Sequence, residues 1–166
     1  MIVLVLGGAR SGKSAAAERR ATELAGEEPV TVFATAMVSD DDMAARVAAH
    51  RARRPATWHT IETGADLVHA LGSRGGVALV DSLGTWVAAT PDLAVDADAL
   101  CRALVDRGGD TVVVSEEVGL GVHPSSEAGR RFRDVLGSVN QAVAAIADEV
   151  LLAVAGRTLA LGGGPR

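Results

Sequence analysis

Eight residues near the start of the chain, Gly7-Gly8-Ala9-Arg10-Ser11-Gly12-Lys13-Ser14, carry the densest chemical information in the sequence. Their spacing is G-x-x-x-x-G-K-[ST], in which glycines bare backbone N–H groups, a lysine supplies a point charge and a hydroxyl follows it. A loop of this kind at the start of a helix wraps a phosphate, because unpaired amides and the helix dipole both favour negative charge there. Lys13 would reach the β- and γ-phosphates of a nucleotide, and the Ser14 hydroxyl would ligate Mg2+. Lys13 is also the sole lysine, since fifteen of the sixteen basic residues are arginine. The arginine excess by itself reads as coding bias. A plain glycine turn with a solvated lysine is the alternative reading, and the strand-turn-helix context argues against it.

Asp81 ends the apolar run Val77-Ala78-Leu79-Val80, as a Walker-B carboxylate does. There it would hold magnesium across from Ser14. The competing reading is an aspartate that caps the segment Ser82-Leu83-Gly84. His50 is flanked by Arg46 at i−4 and by Arg53 and Arg54 at i+3 and i+4, one face of a helix. Guanidinium charge around an imidazole opposes its protonation, which would keep it nucleophilic, and the same arginines would neutralise phosphates. A solvated arginine-rich helix with an incidental histidine fits the pattern as well. Glu62 reads either as a surface carboxylate or, at a strand end, as a hydrogen-bond acceptor for a ribose or a guanine N–H.

The elements that must position these groups alternate along the chain. Ile2–Leu6 reads as a buried parallel strand, Gly7–Ser14 as the turn, and Ala15–Ala25 as a helix ended by Gly26. Val30–Ala36 is a second strand. A helix then starts at Ser39, with Asp40, Asp41 and Asp42 in its first turn, and runs through Met43, Val47 and His50 until Pro55. Thr57–Ile61 is a short strand, Ala65–Leu71 a helix, and Val77–Asp81 a buried strand. Val95–Arg107 reads as helix, Thr111–Ser115 as strand, and Ser126–Ala147 as a long helix. Val150–Ala155 with Thr158–Leu161 forms a terminal hairpin. Trp58 is expected in the core, and His59 and His69 at the surface or as core fillers. The terminal GGGPR reads as a frayed tail.

This alternation predicts an α/β fold, a P-loop NTPase-type three-layer sandwich with a mostly parallel central sheet and an antiparallel C-terminal edge. The whole of 1–166 reads as a single P-loop nucleotide-binding domain. With 16 basic and 21 acidic residues the net charge is −5, which argues against a nucleic-acid partner. No apolar run approaches the roughly 18 residues a membrane span needs. One cysteine, Cys101, can form neither an internal disulfide nor a thiolate metal cluster. A soluble protein of a reducing compartment such as the cytoplasm is the expectation.

The stretches GGARSGKS, FATAMVSDDDMAARVAAHRARRPATWHTIE, LVDSLGTW, SEEVGLGVHP and RRFRDVLGSVNQAVAAIADEVLLAVAG occur in this order. Together they resemble the bifunctional adenosylcobinamide kinase and adenosylcobinamide-phosphate guanylyltransferase family of cobalamin biosynthesis, over nearly the whole chain. The resemblance implies that ATP or GTP phosphorylates adenosylcobinamide. It further implies that His50 accepts GMP from GTP and passes it to adenosylcobinamide phosphate. Nucleotide contacts implied in the same way are Gly7 to Ser14, Ala34, Thr35, Ala36, Arg51, Ala52, Arg53, Arg54, Glu62 and Asp81, with a homo-oligomeric assembly. The family usually shows an asparagine-glutamate pair at Glu116-Glu117 and an aliphatic residue at His123. This chain departs at Glu116 and His123, and it is short after Trp86. Two other classes stay open on the residues alone: a single-activity P-loop kinase of a small coenzyme or nucleoside, and a non-enzymatic P-loop module.

Overall fold

The computed structural model describes residues 1–36, 48 and 52–162. Its elements run β1 (Ile2–Gly7), α1 (Lys13–Ala25), β2 (Thr31–Ala34), β3 (His59–Glu62), α2 (Leu67–Leu71), β4 (Ala78–Asp81) and α3 (Leu83–Ala89). A 3-10 turn (Pro91–Leu93), α4 (Ala97–Asp106), β5 (Thr111–Glu116), α5 (Glu127–Ile146), β6 (Glu149–Val154) and β7 (Arg157–Ala160) complete it. Among the described residues seven strands form one sheet in the order β3-β2-β4-β5-β1-β6-β7. Every neighbouring pair is parallel except β6 with β7, which closes the C-terminal edge as an antiparallel hairpin.

The period-2 alternation of a strand sorts its side chains between two layers. Ile2 and Leu4 of β1 join Phe33, Val80 and Val113 beneath α2 to α5, where Leu67, Leu71, Trp86, Leu100, Leu104, Leu136 and Val139 meet them. Val3 and Val5 point the other way, with Val32, Leu79, Val112 and Val114, against Ala16, Ala17 and Ala21 of α1. Three alanines let the helix backbone lie close to the sheet, so the loop before α1 sits directly over the C-terminal end of β1.

Several boundaries differ from the sequence expectation. α1 begins at Lys13, so Lys13 and Ser14 lie in its first turn rather than in the preceding loop. The third strand is His59–Glu62 rather than Thr57–Ile61, because the Trp58 N–H donates to the Pro55 carbonyl (3.0 Å) and Thr57 is held in that turn. α3 was absent from the sequence reading. Gly84, Thr85 and Val87 are poor helix formers, but a reciprocal cap overrides them: Ser82 accepts from the Thr85 N–H and Thr85 accepts from the Ser82 N–H. The hairpin turn is Ala155-Gly156, with φ of 51° and 77°, the two-positive-φ loop that matches strand twist. Trp58 is half-buried against the α1-side cluster, and His59 and His69 are exposed. The helix expected from Ser39 to Pro55 lies outside the described residues apart from 48 and 52–55, and so does the tail beyond 162.

At the opposite end of the sheet Arg107 ties β4 to β5. Its guanidinium donates to the carbonyls of Arg74 (3.1 Å), Gly76 (2.8 Å) and Asp110 (3.1 Å) and to the Thr111 hydroxyl (2.9 Å). Burial pushes this guanidinium below its usual range, partly countered by the Asp110 carboxylate. It stays charged, and its planar fork matches several carbonyls at once. Arg107→Met should keep the buried stem and lose every one of these bonds, stranding acceptors beneath the loops. Urea unfolding is expected to show a loss of about 3 kcal/mol; a change under about 0.5 kcal/mol, the level of an ordinary surface substitution, would show that water satisfies those carbonyls.

Candidate active site

Several of the chemistry-bearing residues that the structure describes converge on the C-terminal edge of the sheet. Gly12 takes φ +92°, a left-handed conformation that suits glycine, and turns the chain into α1. A Cβ on Gly12 would also stand 3.0 Å from Gly156 Cα. A Cβ on Gly7 would stand 2.9 Å from the Ala153 carbonyl and overlap the Ser11 hydroxyl. The Gly156 N–H donates to the Ser11 carbonyl (2.8 Å). The β6-β7 hairpin therefore buttresses the loop from the side, a contact the sequence reading did not anticipate. Within the loop, Ser11 Oγ accepts from the Lys13 N–H (3.3 Å), and Lys13 Nζ donates to the Gly8 carbonyl (3.4 Å). Arg10 and Ala9 are exposed at the tip.

Parallel register sets the carboxylates level with this loop. Glu62, Ala34, Asp81, Val114 and Val5 form one row across five strands, and Gly7 pairs with Glu116 two residues further on. Lys13 Nζ lies 3.5 Å from Glu116 Oε1. Ser82 Oγ donates to the same carboxylate (3.1 Å), as does the Gly84 N–H (3.0 Å). Asn140 of α5 donates to the Glu116 carbonyl (3.1 Å) and accepts from Ser115 Oγ (2.6 Å), fixing the strand end. Among the described residues the carboxylate nearest the lysine is thus Glu116, one strand closer than Asp81.

Asp81 has a different partner. Arg54 Nη2 lies 2.5 Å from Asp81 Oδ2, and Arg54 Nε lies 3.3 Å from Glu18 Oε1 on α1. Glu18 also accepts from Arg53 Nε (3.4 Å). The Arg54 side chain is only 6% exposed, so it is a fixed bridge rather than a roaming surface charge. The capping alternative for Asp81 is corrected by the structure: Ser82 is the N-cap of α3. Thr35 Oγ1 donates to the Ser82 carbonyl (2.6 Å) and accepts from the Ser82 N–H (3.0 Å), locking the end of β2 to the start of α3.

The expected site residues fall into three groups. Gly7 to Ser14, Asp81, Arg53 and Arg54 come together around the loop, α1 and the end of β4. Ala34, Thr35, Ala36 and Glu62 continue the same edge outward; β3 stands four strand positions from β1, roughly 19 Å away at 4.8 Å per step. His50, Arg46 and Arg51 lie outside the described residues, and Ala52 is exposed. Glu116, Glu18, Asn140 and Gly156 were not among the expected site residues. Glu116 alone had a signal, its place at a strand end.

The hydroxyl of Ser14 and the carboxylates at the strand ends are hard oxygen donors, which suits magnesium. Among the described residues no three His, Cys, Asp or Glu side chains form a metal cage; a magnesium ion held largely by phosphates needs one or two protein oxygens. Cys101 takes no part. Burial and then the Asp98 carboxylate push its thiol above the usual range, leaving it protonated at neutral pH.

A glycine-rich loop buttressed over a parallel sheet, with a lysine and strand-end carboxylates beneath it, defines an α/β protein of the P-loop NTPase type. An ATPase of the type III secretion system of pathogenic bacteria shares the fold, with a TM-score of 0.55 at 11% identity; 91% of this chain covers 50% of that one. The sequence profile of the cobinamide kinase / cobinamide phosphate guanyltransferase family matches residues 3–161. The chain is 41% identical to the bifunctional adenosylcobalamin biosynthesis protein CobP of Pseudomonas aeruginosa, over 98% of either chain. It is 36% identical to the protein CobU of Escherichia coli, which bears the same bifunctional description, over 94% of this chain and 97% of that one. The chain belongs to the cobinamide kinase / cobinamide phosphate guanyltransferase family.

Lys13→Ala should fold normally and turn over nucleotide about a hundredfold more slowly, because a charged contact made in the transition state is worth on the order of 3 kcal/mol. Kinase turnover close to that of the parent protein would remove Lys13 from the site.

Proposed function

We propose that this chain phosphorylates the aminopropanol hydroxyl of adenosylcobinamide with ATP or GTP. It then transfers GMP from GTP to adenosylcobinamide phosphate, giving adenosylcobinamide-GDP in cobalamin biosynthesis. The carrying observation is the family match over residues 3–161 on a chain whose phosphate loop is built and buttressed. The single domain 1–166 serves both reactions.

In the first reaction the loop amides and Lys13 hold the β- and γ-phosphates, and the acceptor hydroxyl attacks the γ-phosphorus as the nucleoside diphosphate leaves. Little is asked of the protein beyond position and charge. Magnesium, when bound, neutralises charge on the phosphate oxygens, and Ser14 and Asp81 are the residues that would hold it. In the second reaction an imidazole nitrogen of His50 attacks the α-phosphorus of GTP, and the bond to pyrophosphate breaks. A phosphate oxygen of adenosylcobinamide phosphate then attacks the guanylyl-histidine, and His50 leaves unchanged. Arg53 and Arg54, three and four residues beyond His50, are tied to Glu18 and Asp81, which supports a role for this stretch beside the nucleotide. Ala34, Thr35, Ala36, Arg51, Ala52 and Glu62 would complete the nucleotide contacts.

A homo-oligomer in the cytoplasm is part of the same reading. Among the described residues the last strand, β7, has one edge without a strand partner, beside exposed Val154, Leu159 and Leu161. Among the described residues no helix is long and apolar enough to cross a membrane.

Incubation with α-labelled GTP tests the two-step chemistry directly. Label should stay on the parent protein in acid-labile form, and His50→Ala should lose both the label and the GMP transfer. Phosphorylation of adenosylcobinamide should persist in that variant, because direct phosphoryl transfer needs no imidazole nucleophile. GMP transfer undiminished in His50→Ala would end the covalent mechanism.

Asp81→Asn keeps the shape and removes the charge, and its magnesium requirement should rise in both reactions. An unchanged magnesium titration would move the metal role to another carboxylate.

A further inference from the structure

Among the described residues Glu116 is the carboxylate in direct contact with Lys13, and the two-reaction scheme gives it no task. Its position is built from three directions. β5 brings it level with Gly7, the first residue of the phosphate loop. The Ser82 hydroxyl and the Gly84 N–H at the start of α3 grip its side chain, and a methyl group at Gly84 would overlap Oε2. Asn140 of α5 holds its carbonyl. The carboxylate is therefore fixed, whereas the lysine is a flexible stem whose ammonium rests between Glu116 and the Gly8 carbonyl.

We propose that Glu116 selects magnesium-bound nucleotide over bare nucleotide by competing with phosphate for Lys13. The proposal rests on Lys13 as the phosphate ligand. An arriving phosphate must take the ammonium from Glu116. Once Lys13 turns to the phosphate, the carboxylate cannot follow or withdraw, since its donors on α3 keep it in place. Two like charges then face each other across a few ångströms. A divalent cation travelling with the phosphates offsets that repulsion, and a bare nucleotide meets it in full. The Glu116 side chain is 30% exposed and Lys13 13%, so solvent weakens the effect without erasing it. Asp81 does not duplicate this role, because it lies one strand away and is bridged to Arg54.

Calorimetric titration of the full chain with GTP, once in EDTA and once with excess magnesium, reads the proposal without any turnover. Glu116→Gln retains an oxygen that accepts from Ser82 and Gly84 while losing the charge. In EDTA it should bind GTP about fivefold or more tightly than the parent, and the gain in affinity on adding magnesium should shrink by the same factor. Glu116→Asn, shorter but also neutral, should move in the same direction and carries the test if Glu116→Gln does not fold. Equal or weaker binding of bare GTP by the folded variants, with the parent binding normally, overturns this proposal alone. So does failure of both variants to fold, which would make Glu116 a structural strut. If the parent itself binds no GTP under either condition, the phosphate-loop reading fails and this inference with it.

Discussion

Parallel pairing of β1 with β5 and of β5 with β4 is the constraint on which the rest of the site depends. It fixes Gly7 opposite Glu116 and Asp81 opposite Val114, so that the loop and two carboxylates share one edge. A one-residue slip would send every side chain of a strand to the other face and destroy both apolar layers. Register is thus enforced by the core, where Val3, Leu4, Val5, Val112 and Val113 have no exposed surface. Catalytic geometry here is a by-product of hydrophobic sorting.

Charge at that edge is arranged in pairs that cross between elements. Lys13 of α1 meets Glu116 of β5; Arg54 joins Asp81 of β4 to Glu18 of α1. Both pairings link the helix that follows the phosphate loop to strands that carry no part of the loop. The partly exposed Lys13–Glu116 pair adds little to stability, whereas the nearly buried Arg54 would leave a stranded charge if its partners were removed. The polar contacts around Ser82, Thr35 and Thr85 have a similar character. They hold the first turn of α3 against β2, and through Ser82 and Gly84 they hold Glu116. Cross-bracing of this kind holds the ends of β2, β4 and β5 and the start of α3 in fixed relative positions.

Local sequence signals were sufficient for most of what depends on local physics. The phosphate loop was legible because its glycines, lysine and serine are adjacent in the chain, and the buried strands because Val77-Ala78-Leu79-Val80 and the valines at 112–114 are uninterrupted. The layer architecture and the antiparallel C-terminal edge followed from alternation and turn chemistry. Helix α3 escaped because a reciprocal cap and a buried tryptophan outweigh a poor intrinsic propensity. The third strand was displaced by a turn at Pro55–Trp58 that composition does not reveal.

Which carboxylate faces the lysine was decided by the tertiary structure alone. Asp81 and Glu116 both end apolar strands, and their sequences give no ground to rank them. Strand order ranks them, because β5 lies between β4 and β1. Likewise the support of the phosphate loop by Gly156, about 145 residues away along the chain, depends on β6 pairing with β1. The sequence by itself determined most of the elements and the phosphate-loop motif, since those arise from propensities and spacings within a few residues. Partnership between distant side chains belonged to the fold, because it depends on strand order and register, which are set by the packing of the whole core.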